Sequence, residues 1–142
     1  MSRLQAKKIV APVDFSDESL ASLDTAVDIA NRPSDVHVVH VIPEINFADP
    51  GVIWQEIDDN GRKQDAEQEL RKRLSDGKYS QVQIHIEVGN PGHCVADFAK
   101  QIGADLIVMP SHGRTGLAHV LLGSVAERVV RLSHCPVLVL RK

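Results

Sequence analysis

The sequence predicts an α/β protein built on a doubly wound, five-stranded parallel sheet in the order 3-2-1-4-5, with helices on both faces. Three observations carry that prediction. Short apolar runs rich in Val and Ile alternate along the whole chain with segments of helical period. Strands separated by helices are joined by crossovers, which make neighbouring strands parallel and place helices on both sides of the sheet. Two of the runs are apolar at every position, as strands buried on both faces must be. At 142 residues the chain is read as one domain, 1–142, with no internal repeat, low-complexity tract or linker.

Each element has its local reason. Ile9 to Val13 is an apolar first strand. Ser16 follows as an N-cap, with Asp17 and Glu18 in the first helical turn, where negative charge suits the helix dipole. Leu20, Leu23, Val27 and Ala30 then recur at helical spacing, and Asn31-Arg32-Pro33 stops the helix. Val36 to Ile42 is the second strand, closed by Pro43. Residues 44–61 are irregular, with turn signals at Pro50-Gly51 and Asn60-Gly61. A charged helix from Arg62 to Leu74 presents Ala66, Leu70 and Leu74 on one side, and Asp76-Gly77 closes it. Val82 to Val88 alternates apolar and polar residues, so one face is expected to be wet and the strand to lie at an edge. After the Gly89-Asn90-Pro91-Gly92 loop, Val95, Phe98, Ala99 and Ile102 form a helical stripe, with Gly103 placed as a C-terminal cap. Leu106 to Met109 is the fourth strand. A Gly-rich loop from Pro110 to Gly123 leads into a helix bearing Val125, Val129 and Leu132, and Pro136 to Leu140 is the fifth strand.

Composition narrows the function classes. The chain is 43% hydrophobic and 25% charged, with a net charge of −3, which argues against a broad electrostatic grip on nucleic acid or an anionic membrane. No apolar stretch approaches the roughly 20 residues of a membrane span, and no targeting segment is visible, so the cytoplasm is the expected compartment. The two cysteines, Cys94 and Cys135, sit in apolar contexts and read as buried, inert thiols of a reducing compartment. The seven histidines are scattered, and neither cysteine pairs with one at zinc-finger spacing, so no metal site is expected. No nucleophile-and-base motif or Walker A sequence surrounds Ser111, His112 and Asp14, so no catalytic residue is assigned. Any turnover is expected to be slow.

The fifth strand, Val137-Leu138-Val139-Leu140, is apolar on both faces, yet a doubly wound sheet puts it at an edge. A long apolar edge invites another chain. It is therefore expected at a homodimer interface, the alternative being that flanking helices cover it.

In a sheet of this flavodoxin-like order, ligands sit beyond the carboxyl ends of the strands where strand order reverses, here between strands one and four. Two segments meet at that point: Pro12-Val13-Asp14-Phe15-Ser16, and Pro110-Ser111-His112-Gly113-Arg114-Thr115-Gly116 running on to Gly123-Ser124. The second suits an anion. Glycines allow close backbone approach, the helix opening at Gly123-Ser124 offers free N–H groups and a favourable dipole, and Arg114 can add a charge-assisted contact. Asp14 can accept hydrogen bonds from ribose hydroxyls. Each piece also has a structural role open to it: Ser124-Val125-Ala126-Glu127 reads as a capping box, Gly113 and Gly116 as turns, Asp14 as a strand end and Arg114 as a surface charge.

These residues bring a resemblance into view. Ile9-Val10-Ala11-Pro12-Val13-Asp14-Phe15-Ser16, His40-Val41-Ile42, Ser111 to Gly116, Leu121-Leu122-Gly123-Ser124-Val125-Ala126-Glu127-Arg128-Val129 and Cys135-Pro136-Val137-Leu138-Val139 together resemble the universal stress protein family over nearly the whole chain. ATP-binding members of that family carry Gly-x2-Gly-x9-Gly followed by Ser or Thr. Gly113 and Gly123-Ser124 match its second half, while Pro110 stands in place of the first glycine. The resemblance implies ATP as ligand; turnover is then expected to reach slow ATP hydrolysis at most, and magnesium can accompany the phosphates. It implies ribose contact at Asp14 beside Pro12 and Val13, and adenine contact at the backbone of Val41. It implies phosphate contacts at Gly113, Gly123 and Ser124, with Pro110, Ser111, His112, Arg114 and Val125 as further residues of the binding site. It further implies a homodimer paired through Val137 to Leu140. Proline lacks an N–H and adds bulk, so Pro110 is expected to weaken the site if flexibility is needed there. The competing reading is a dimeric interaction protein of the same fold that holds no nucleotide. It would work through the segment Ile45 to Ile57, with Phe47 and Trp54.

Overall fold

A computed structural model describes residues 7–44, 59–112 and 122–141. Its elements are β1 (Ile9–Pro12), α1 (Asp17–Ile29), β2 (Val36–Ile42), α2 (Asp59–Arg73), β3 (Gln83–Val88), α3 (Pro91–Ile102), β4 (Leu106–Pro110), α4 (Ser124–Leu132) and β5 (Val137–Leu140). The sheet has five strands in the order β3-β2-β1-β4-β5, all parallel. The segment around Phe47 and Trp54 lies outside the described residues.

The sheet separates two cores. On one face Ile9, Ala11, Leu23, Val36, Val38, Leu70 and Val108 pack beneath α1 and α2; on the other Val10, Val39, Phe98, Ile107 and Val129 pack beneath α3 and α4. Successive residues of β1 and β4 alternate between these cores, which is why both strands are apolar throughout. Each is central, flanked by a strand on either side.

Ser16 caps α1 as expected, accepting a hydrogen bond from the Ser19 amide at 3.1 Å. The loop expected over Gly89 to Gly92 is shorter than that: α3 already begins at Pro91, because Asn90 caps it by accepting from the His93 amide at 3.1 Å and proline suits a first helical turn. Gly103 closes α3 at φ 68°, a left-handed conformation that favours glycine. On α2, Leu70 is buried and Ala66 half-buried, as the stripe predicts, and Leu74, expected as its last residue, is buried just past the helix end at Arg73.

Several expectations need correction. Helix α2 begins at Asp59 rather than Arg62, since Asn60-Gly61 is absorbed into its first turn instead of forming a loop. Ser124 does not cap α4: Gly123 occupies the N-cap position with no side-chain cap, and Ser124 is the first helical residue. Of the apolar residues named on α4, Val129 is buried, whereas Leu132 is exposed at the helix end and Ala126 takes the inner position with Val129. The polar face of β3 is only partly wet, because Phe98 of α3 reaches over His85. Cys94 and Cys135 are half-buried free thiols rather than fully buried ones. No helix among the described residues is long and apolar enough to cross a membrane.

Candidate functional site

The sheet itself makes a crevice. β1 pairs with β2 along its whole length, Ile9↔Val36 to Pro12↔Val39, and all of β5 pairs with β4, Ile107↔Val137 to Pro110↔Leu140. The pairing of β1 with β4, however, is confined to Ile9↔Leu106 and Val10↔Ile107. Beyond these residues the two central strands part, each held to its outer neighbour, and a notch opens at their carboxyl ends. Strand order reverses here, which is where α/β sheets of this type receive ligands.

The β1 side of the notch is pinned by a short-range network. The Val13 amide donates to Val39 O at 2.9 Å, and His40 Nδ1 donates to Val13 O at 2.7 Å. Asp14 Oδ1 accepts from the Ser16 amide at 3.0 Å and from the Ser16 hydroxyl, and the Asp14 amide donates to Ser19 Oγ at 3.2 Å. The carboxylate of Asp14 is thereby oriented at the start of α1. Between Asp14 and Ser16, Phe15 sits at φ 67°, a left-handed conformation that is costly for a bulky residue. Its ring lies 4.6 Å from that of His40, and the Arg73 guanidinium of α2 rests 5.0 Å from its centroid. Such outliers persist where the surroundings over-determine them, commonly at ligand sites.

The β4 side is a backbone cradle. Pro110 is the buried last residue of β4, and the next amide, Ser111 N, donates to Leu140 O at 2.9 Å, so the proline replaces a donor only where the ladder ends. Ser111 is 5% exposed, and its carbonyl accepts from the Gly123 amide at 2.6 Å, which brings the start of α4 back onto the end of β4. A Cβ at Gly123 would stand 3.2 Å from Ser111 O and 3.7 Å from His112 Cδ2, so glycine is used here for closeness rather than for an unusual φ. The first intrahelical bond runs from the Glu127 amide to Gly123 O at 2.9 Å. The amides of Ser124, Val125 and Ala126 therefore have no intrahelical acceptor, and among the described residues no side chain caps the helix. His112 Nδ1 lies 3.2 Å from Ser111 Oγ, while its buried Nε2 has no hydrogen-bond partner among the described residues. A buried polar atom left unpaired costs free energy unless something else satisfies it.

The structure thus places Pro12, Val13 and Asp14 on one lip of the notch and Pro110, Ser111 and His112 on the other. Gly123, Ser124 and Val125 are drawn in by the Gly123–Ser111 bond. Val41 lies half-buried on β2, beside the β1 lip. Gly113 and Arg114 lie outside the described residues. His40 and the strained Phe15 were not singled out by chemistry; the only sequence signal was the position of His40 beside Val41. No cluster of three or more potential metal ligands occurs among the described residues.

Comparison with known proteins follows from this geometry. The model of the universal stress protein family matches residues 5–141. The chain belongs to the universal stress protein family. Universal stress protein MJ0531 of Methanocaldococcus jannaschii is 39% identical, the match covering 96% of this chain and 82% of that protein. Universal stress protein YxiE of Bacillus subtilis is 32% identical over 94% of this chain and 98% of its own. Among solved structures, protein MJ0577 superposes with a TM-score of 0.76 at 30% identity, covering 98% of both chains. A universal stress protein solved in complex with cAMP shares the fold, with a TM-score of 0.66 at 23% identity over 96% of this chain and 98% of that one. The doubly wound sheet of this chain is that of the universal stress proteins.

Proposed function

We propose that this universal stress protein is a cytoplasmic regulatory module of the stress response that binds ATP in the notch between β1 and β4, as a homodimer joined through β5. One observation carries the nucleotide reading above the others: the first turn of α4, which no side chain among the described residues caps, is held against the end of β4 at Gly123, beside a buried His112 Nε2 that has no partner among those residues. Free helical amides and the helix dipole favour a phosphate, and a glycine that a Cβ would crowd leaves room for one. The residues present fit the group. Ser124 and Val125 amides would hold phosphate oxygens, Asp14 would accept from ribose hydroxyls, and the backbone at Val41 would meet the base. When bound, ATP supplies a polyanion that magnesium can accompany. The chain's own residues orient it through Ser16 on Asp14 and through Ser111 on Gly123.

The test is direct. Purified protein is denatured, the supernatant is assayed for released adenine nucleotide, and the stripped protein is titrated calorimetrically with ATP and magnesium. Binding is expected, with Gly123→Val weakening it at least tenfold or so, the loss of charge-assisted hydrogen bonds worth about 1.5–3 kcal/mol. Pro110→Gly is expected to tighten it by restoring flexibility at the lip. No heat at millimolar ATP overturns the reading in favour of a nucleotide-free interaction protein, and weaker binding by Pro110→Gly overturns the account of that proline.

A further inference from the structure

Away from the notch, two histidines meet at the outer edge of the sheet. His37 on β2 and His85 on β3 are diagonal neighbours, since β2 and β3 pair as His37↔Gln83 and Val39↔His85. Nδ1 of His37 lies 3.1 Å from Nε2 of His85, and the rings stack with centroids 5.2 Å apart at 22°. Phe98 of α3 closes over both, its ring 4.6 Å from His85 and 6.5 Å from His37. His37 is only 9% exposed. In this contact one ring must donate and the other accept, so the arrangement needs at least one neutral imidazole. A first added proton can be shared across the contact. A second leaves two N–H groups and two positive charges facing one another beneath an aromatic ring.

We propose that His37 and His85 form an acid-released clasp that holds β3, the edge strand, and α3 against β2 at neutral pH and lets them go when both rings are protonated.

The surroundings oppose protonation more than they favour it. Burial pushes both imidazoles below the usual histidine value of 6.5, and for His37 the neighbouring His85 and the Lys8 ammonium add to that effect. Lys8 is held in place by its Nζ bond to Ile102 O, at the end of α3, at 2.9 Å. Asp35, before β2, pulls His37 the other way, and Glu87 on β3 does the same for His85, without reversing either direction. The charged residues of α3 near Phe98, Asp97 and Lys100, are exposed. A group whose affinity for a proton is lower in the folded chain contributes stability that is complete above its unfolded value and is lost as pH falls below it. The loss therefore begins at about pH 6.5, the ordinary histidine value, and deepens downward.

Imidazole NMR titration of the unsubstituted protein reads the clasp directly. Both His37 and His85 are expected to titrate below 6.5; either ring titrating at or above that value overturns the proposal. Urea denaturation at pH 7.5 and 5.5 reads its consequence. The folding constant of the unsubstituted chain is expected to fall severalfold more across this interval, up to a ceiling of about tenfold, than that of His85→Phe, which keeps a ring under Phe98 but cannot take a proton. Equal falls overturn it. Amide hydrogen exchange locates the release: protection along His85 to Val88, corrected for intrinsic rates, is expected to drop at pH 5.5 relative to β1, and unchanged protection there overturns the assignment to β3.

Discussion

At Phe15 the backbone adopts φ 67° although the residue carries a bulky ring. The conformation is held from both sides: Asp14 Oδ1 takes the Ser16 amide, and His40 and Arg73 hold the ring. A left-handed L-residue costs about 1–2 kcal/mol, which glycine does not incur. Removing the ring to alanine and to glycine separates the two effects. Phe15→Gly is expected to be more stable than Phe15→Ala by about 1 kcal/mol, the reverse of the usual order, and urea denaturation of the pair measures it. This residue also shows where sequence reading stops. Ser16 as a cap and Asp14 as a strand-end acceptor are legible because their hydrogen bonds span at most five positions of the chain. Phe15 is not, because nothing local favours a phenylalanine at positive φ. The His37–His85 contact is not legible either, for the two residues are 48 positions apart and meet only through the register of two parallel strands.

Among the elements, the strands and their order were the most legible part. β2 has the bounds its apolar run predicts, and β1 and β4 are buried on both faces because every position must satisfy one core or the other. Helix starts were harder. Asn60-Gly61 reads as a turn, yet it lies within the first turn of α2. Ser124 reads as a cap but cedes the position to Gly123, because the Gly123 amide is committed to Ser111 O at 2.6 Å and sets where the helix begins. The crossing of α3 and α4 was not visible at all. At Gly92 an added Cβ would lie 2.7 Å from the Cβ of Arg128, too close for the arginine to yield by swinging its far end. Alanine would ordinarily gain up to about 1 kcal/mol in a helix. Overpacking costs about 1–3 kcal/mol, so Gly92→Ala is expected to lower stability on balance by about 1 kcal/mol, read as a fall in Tm of several degrees.

On the scale of the whole molecule, the β5 edge and the neighbouring helix leave apolar surface uncovered. Leu138 is 37% exposed, and Val130 and Leu132 of α4 are 47% and 44% exposed. Flanking helices therefore do not cover the last strand fully, which is the condition under which a second copy would be drawn to it. Because Leu138 already stands partly in water, Leu138→Glu is expected to separate the protomers while sparing the fold. Sedimentation would report a monomer with an unchanged circular dichroism spectrum, and a dimer that survives the substitution would place the interface elsewhere.

The sheet is also a near-division into two. Three strands, β3-β2-β1, and two, β4-β5, are joined by only two register pairs at their common border, Ile9↔Leu106 and Val10↔Ile107. Whatever lodges past that short seam touches both halves at once and acts as a rivet between them. A guest there would stiffen the molecule well beyond its own footprint, and its departure would hand that slack back to the helices on either side.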